Sequence, residues 1–155
     1  MKDDRRFAGP MHAWPEVTAV DGAVKTLQVL STRARCCLAT NARDSSEEDI
    51  WRALARVGLD RHLESVFCFQ ALGVVKPEPA FFDLVRQNLG LPPQAIAMVG
   101  DSFDSDIKGA LLAGLRAFWY NPHTDEARDA VGVVTIHALT ELIRPPHSDN
   151  HSLAR

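Results

Sequence analysis

The sequence predicts an α/β fold of the three-layer, Rossmann-like kind, a parallel sheet covered by helices on both faces. Two observations carry that expectation. Short apolar runs such as AIAMV, RAFWY and VVTI alternate with amphipathic stretches that stop at glycine, the pattern of strands and helices in a doubly wound sheet with right-handed crossovers. Polar residues also gather just after the apolar runs, where open parallel sheets hold their ligands. The clearest case is Val99-Gly100-Asp101-Ser102-Phe103-Asp104-Ser105-Asp106, in which an apolar run ends in glycine and three carboxylates follow within six positions.

The elements follow in order. Asp21 caps a helix from Gly22 to about Thr32, with Val24, Leu27 and Leu30 at helical spacing. Arg35 to Ala39 (RCCLA) reads as the first strand, ending at Thr40-Asn41. Ser45-Ser46-Glu47-Glu48 reads as a capping box for a second helix, which turns Ile50, Leu54 and Val57 inward and stops at Gly58. Ser65 to Phe69 is a strand, Ala71 to Pro79 a loop, and a helix bearing Phe81, Phe82, Val85 and Leu89 runs to Gly90. After Pro92-Pro93 come the strand Ala95 to Val99, a helix from Ile107 to Ala113, strands Arg116 to Tyr120 and Val133 to Ile136, and a last helix from Ala138 to Ile143.

With 155 residues, 46% of them hydrophobic, the chain has the material for one core and is short for two. The expected division is a polar arm over residues 1–15, a core over 16–144 and a disordered tail over 145–155. A net charge of −3 and the absence of a Lys/Arg run beyond Arg5-Arg6 argue against nucleic acid as a partner. No apolar stretch has membrane-spanning length and none resembles a signal peptide, so a soluble cytoplasmic protein is expected. Cys36, Cys37 and Cys68 lack metal-ligand spacing and are read as reduced core residues, the first two in one strand and facing opposite ways. Trp14, Trp51 and Trp119 are read as packing residues, and the six histidines show no metal-ligand spacing.

Three strand ends present polar groups: Thr40-Asn41, Lys76 in the loop after the second strand, and Asp101 to Asp106. A hydroxyl and backbone amides hold phosphate oxygens, an ammonium neutralises their charge, and paired carboxylates suit a hard cation such as Mg²⁺. Phosphoryl transfer asks for this combination of positioning and charge stabilisation.

In order, LATN, GVVKPEPAFF and MVGDSFDSDIKGALLAGLRAFWYN resemble the motifs of the haloacid dehalogenase (HAD) superfamily, from about Pro15 to Asn121. The resemblance implies a phosphohydrolase core acting on a small phosphorylated metabolite. It makes Thr40 the phosphate-binding hydroxyl, Lys76 the motif lysine, and Asp101 and Asp106 carboxylates for Mg²⁺. Thr40, Lys76 and Asp101 are the candidate catalytic residues, Asn41 a phosphate-side residue and Ser102 an outer neighbour of the metal. Asp104 is not needed as a ligand.

The family's first motif, an Asp-x-Asp after a strand whose first Asp forms the covalent aspartyl-phosphate, is not found. Asp3-Asp4 follow no apolar run, and Asp21-Gly22 is followed by Ala23 and fits a helix start. The cap domain that many members insert after this motif is not found either. In the family that strand lies between the strand ending at Thr40 and the one ending at Gly100, so the expectation is a core lacking its central strand. Direct pairing of the flanking strands, entry of the N-terminal arm, or a strand from another polypeptide would close the gap. The preferred expectation is a phosphohydrolase core whose first motif lies on a missing upstream segment, inactive or weakly active as this chain. The alternative is a non-catalytic phosphate- or metal-binding or protein-interaction module completed by a partner strand or by self-association. A receiver domain is disfavoured, because its acidic pair belongs on the first strand.

Overall fold

The computed structural model describes residues 8–144, so the expected tail and the start of the arm lie outside the described residues. Five parallel strands are present, β1 (Cys37–Ala39), β2 (Ser65–Phe67), β3 (Ala97–Gly100), β4 (Arg116–Tyr120) and β5 (Val133–Ile136). Helix α1 (Ala23–Leu30) precedes β1, and α2 (Glu47–Arg56), α3 (Phe69–Leu72), α4 (Pro79–Leu89) and α5 (Gly109–Leu112) lie between strands. The α/β alternation is therefore as expected, but the strands form two sheets: β1-β2, and β3-β4-β5.

The orientation of the peptide groups gives this division a physical consequence. Glu64 N–H bonds the Cys36 carbonyl at 2.8 Å and Thr40 N–H bonds the Phe67 carbonyl at 2.9 Å. By strand alternation Leu38 therefore faces β2, while Cys37 and Ala39 turn their peptide groups to the other edge. Arg116 N–H bonds the Ile96 carbonyl at 3.1 Å. Met98 and Gly100 accordingly face β4, and Ala97 and Val99 turn theirs outward. Both outward edges lack a strand neighbour among the described residues. Ala97 is exposed and Val99 is 37% exposed, unusual for the strand that carries the acidic turn.

A shared core holds the two sheets together on one face. Phe67 of β2, Phe81, Phe82 and Val85 of α4, Ile107 and Ala110, and Ala117, Trp119 and Val133 of the second sheet bury one another, with Cys37 and Ala39 packed against them. A smaller core joins Ile50 and Leu54 of α2 to Val66, Cys68 and Leu38 on the opposite face of β1-β2. All three cysteines are free thiols; Cys68 is buried, and partial burial raises the Cys36 and Cys37 thiols above their ordinary range.

Local differences from the sequence reading have identifiable causes. The box that starts α2 pairs Ser46 with Asp49: Asp49 N–H donates to Ser46 Oγ at 3.1 Å and Ser46 N–H donates to Asp49 Oδ2 at 2.9 Å. Ser45 is freed for another task, accepting the Met11 N–H at 3.0 Å. Arg56 donates to the carbonyls of His12, Trp14 and Pro15. The described part of the arm is thus tied to Ser45 and to α2. Phe69–Leu72 is a short helix where a strand end and loop were expected, and Leu139–Ile143 is a 3₁₀ turn in place of the last α-helix. No helix of the described residues is long and apolar enough to cross a membrane.

The Ser46 N–H above all, and then the Ser46 hydroxyl, hold the Asp49 carboxyl below its usual range. A depressed pKa stabilises the fold above the unfolded-state value and loses that contribution as pH falls through the folded value. Ser46→Ala is expected to cost about 1 kcal/mol in urea denaturation at neutral pH. Alanine keeps the backbone N–H that chiefly lowers the Asp49 carboxyl and loses only the hydroxyl that accepts from Asp49 N–H, so most of the gap between variant and parent should persist in acid. A gap that vanishes once Asp49 is protonated would contradict this reading of the box.

Candidate functional site

Thr40, Lys76 and Asp101 to Asp106 come from the C-terminal ends of β1 and β3 and from the loop between α3 and α4. Lys76 draws them together. It is 9% exposed, and its Nζ donates to the Ala39 carbonyl at 2.9 Å and to Asp106 Oδ1 at 2.7 Å. The Ala39 carbonyl is one of the groups β1 turns toward the gap, so the ammonium satisfies on one sheet what a neighbouring strand would otherwise satisfy. Asp106, on the far side, belongs to the second sheet's acidic turn. One cation therefore links the two edges.

Asp106 is 4% exposed. Its Oδ2 accepts the Ser102 N–H at 3.1 Å, and the Ser105 hydroxyl lies 3.5 Å from Oδ1. This geometry accounts for the turn's shape. Residues Phe103–Lys108 form a π-helical turn, capped by Ser102 Oγ accepting from Ser105 N–H at 3.3 Å, before α5 begins. The helix therefore starts earlier than the sequence suggested, and Asp106 sits inside it with its carboxylate turned back onto the strand tip. Gly100 makes room for that carboxylate: a Cβ there would lie 2.2 Å from Asp106 Oδ2 and 2.6 Å from Asp106 Cβ.

Asn41 has a task that spacing did not reveal. Its Nδ2 donates to the Lys76 carbonyl at 2.9 Å, and its Oδ1 accepts the Lys76 N–H at 2.9 Å. The amide clamps the lysine's backbone while Ala39, two residues away, receives its ammonium. Thr40 lies between these two anchors, its N–H held by Phe67 and its Oγ1 accepting from Ala42 N–H at 3.2 Å. Hydroxyl and ammonium are consequently fixed relative to each other by the tip of β1. The signal available in the sequence was the Asn after the strand, but its partner lies 35 residues away.

The remaining acidic residues separate cleanly. Asp101 is exposed, and its carbonyl accepts the Trp119 indole N–H at 3.0 Å. Asp104 forms an ion pair with Lys108 one turn on, and hydrogen bonding to that ammonium holds its carboxyl below the usual range. Asp104 is thus engaged at the surface by Lys108. Among the described residues no group of three or more His, Cys, Asp or Glu side chains converges as a metal cage. Asp101 offers one free carboxylate with the hard oxygen chemistry of Mg²⁺, whereas both Asp106 oxygens already have partners.

Lys76→Met is expected to destabilise the chain by about 3–5 kcal/mol, because it strands a buried carboxylate. The double variant Lys76→Met/Asp106→Leu should recover much of that loss in urea denaturation. Additive losses in the double variant would show that the two charges are not coupled. Gly100→Ala should cost about 1–3 kcal/mol through overpacking against Asp106.

Residues 4–114 match the haloacid dehalogenase-like hydrolase family. Among curated proteins the chain is 30% identical over 131 residues to the pyrimidine 5'-nucleotidase YjjG of Escherichia coli, covering 81% of this chain and 57% of that one. It therefore spans less than two thirds of the length of that relative. Among solved structures, an uncharacterized protein from Listeria monocytogenes superposes with a TM-score of 0.76 at 27% identity, covering 90% of this chain and 85% of the other. The HAD-hydrolase YfnB of Bacillus subtilis, solved bound to magnesium, superposes with a TM-score of 0.68 at 26% identity, covering 79% of this chain and 54% of its own. With the match extending over most of its length and the motif residues meeting at one end of the strands, the chain belongs to the haloacid dehalogenase-like hydrolase family.

Proposed function

We propose that residues 8–144 are the larger part of a phosphomonoester hydrolase core, completed when a further parallel strand bearing the nucleophilic aspartate enters between β1 and β3. The observation that carries this reading is the pair of outward edges flanking Lys76. Cys37 and Ala39 on one side and Ala97 and Val99 on the other turn their peptide groups toward the same gap, and Lys76 reaches across its upper end. An inserted strand would bond both edges, and its C-terminal tip would arrive beside Thr40, Lys76 and Asp101. A capless core completed this way carries the family's phosphatase chemistry.

The chain's own residues then have distinct tasks. The Thr40 hydroxyl and nearby backbone N–H groups bind phosphoryl oxygens, and the Lys76 ammonium offsets the charge that develops on them. Asp106 and Asn41 hold Lys76 in place from its two ends. Asp101 is the carboxylate of this chain that would hold Mg²⁺, with Ser102 beside it; the cation neutralises phosphate charge when bound. Asp106, expected from the motif to share that cation, also receives the Lys76 ammonium on Oδ1 and the Ser102 N–H on Oδ2, and its remaining lone pairs are the ones it would offer the metal. The nucleophile attacks phosphorus, the ester P–O bond breaks toward the leaving oxygen, and water later cleaves the acyl phosphate. The small phosphorylated substrate and a cytoplasmic setting belong to this proposal, and the three free thiols suit a reducing compartment.

The same open edge supports the second reading, a module that binds phosphate or a partner strand without turnover. An assay of the purified chain with an aryl phosphate and Mg²⁺ addresses the first directly. Turnover should be absent or depressed on the order of a millionfold relative to intact enzymes. Adding a synthetic peptide with an apolar strand ending in Asp-x-Asp should raise it, and Asp101→Asn should abolish the gain. Vigorous hydrolysis by the chain alone, abolished by Asp101→Asn, would contradict the proposal.

A further inference from the structure

A cavity of about 540 Å³ opens beside Asp101, lined by Val20, Asp21, Asp101, Trp119, Tyr120 and Pro122. None of the motif assignments uses it except through Asp101. Its size falls within the range of about 300–1,000 Å³ typical of small-molecule pockets, and its walls are mainly apolar. A second cleft, bordered by Arg33, Arg61 and Glu64, lies at the N-terminal ends of β1 and β2, away from the phosphate-side residues.

We infer that the Val20–Trp119 cavity seats the organic part of the phosphomonoester, and that it selects a flat, uncharged or cationic group over an anionic one. This inference rests on the phosphohydrolase reading. Three observations support it. Asp101 lies at the strand tip with Thr40 and Lys76 nearby in the fold and also lines the cavity, so one substrate can span both. Trp119 is a prearranged border that shows the cavity only the small part of itself left outside the core, 7% of its surface: its indole N–H is bonded to the Asp101 carbonyl at 3.0 Å, its ring meets Phe103 edge-on at 5.3 Å, and the Arg128 guanidinium lies 4.8 Å from the ring centre. A surface fixed before binding loses little freedom on contact.

Charge sets the selectivity. Asp21 and Asp101 have no ion-pair partner among the described residues, whereas Arg128, the nearest cation to Trp119, is paired with Glu126. His123 also borders the cavity. A second anionic group on the substrate would sit against like charge, a geometry that costs affinity.

The test is an NMR titration of the full chain that follows the Trp119 indole N–H, assigned with Trp119→Phe. Phenyl phosphate and benzyl alcohol should both shift this signal, and benzoate should bind at least about tenfold more weakly. Val20→Phe, at a position 52% exposed and tolerant of bulk, should weaken benzyl alcohol at least about tenfold by filling the cavity. Asp21→Asn should improve benzoate binding. Inorganic phosphate, read at the Thr40 and Ala42 amides, reports separately on the phosphate side. A benzyl alcohol response with no phosphate response would leave the cavity as a site for neutral aromatics and overturn the phosphohydrolase reading. Phosphate binding without a response to either aromatic probe, or benzoate binding as well as benzyl alcohol, would overturn the assignment of the cavity.

Discussion

The buried ammonium of Lys76 is the contact on which the rest of the site depends. Burying a lone charge is expensive, and this one is tolerated because a carboxylate and a carbonyl receive it at short range. Those two acceptors belong to different sheets. The Ala39 carbonyl is a group that β1 turns outward, and Asp106 stands over the tip of β3, admitted there because residue 100 has no side chain. A single side chain thereby sets the relation between the β1 tip and the acidic turn, and with it the relation of Thr40 to Asp101.

Packing explains how this arrangement survives with two outward strand edges. The core formed by α4, the turn before α5 and the inner faces of β1, β2 and β4 is continuous across the division. On the opposite face the buried cluster is confined to α2, β1 and β2, and β3 shows Val99 to solvent. The molecule is fastened along one face and at the top, and open along the edges between. In the proposed reading this construction holds Thr40, Lys76 and Asp101 in place while an entering backbone would gain ladder hydrogen bonds on both sides.

Much of this was legible in the sequence. The β4 and β5 spans, the family resemblance, and the clustering of Thr40, Lys76 and the acidic turn at strand ends followed from apolar runs, stop signals and motif order. The described strands pair as two sheets, and the peptide groups of Ala39 and Val99 point away from β2 and β4; that a strand belongs between them stays part of the proposal. What spacing could not convey was which partner each polar atom takes. Asn41, expected on the phosphate side, clamps the Lys76 peptide with its amide, and Asp106, expected to hold a metal, receives Lys76 on one oxygen and the Ser102 N–H on the other. Ser45 read as a cap and anchors Met11 instead. Each outcome depends on a contact between residues close in space, and in the Asn41 and Ser45 cases distant in sequence, which local propensity does not encode.

Amide hydrogen exchange along β1 and β3 tests the central claim most directly, that the two sheets meet across an unfilled strand position. The account expects alternation: Leu38, Thr40, Met98 and Gly100, which face β2 or β4, should exchange slowly, and Cys37, Ala39, Ala97 and Val99 should exchange fast in the same sample. Equal protection of both sets would mean that β1 and β3 already have strand partners on their outer edges, and would contradict it.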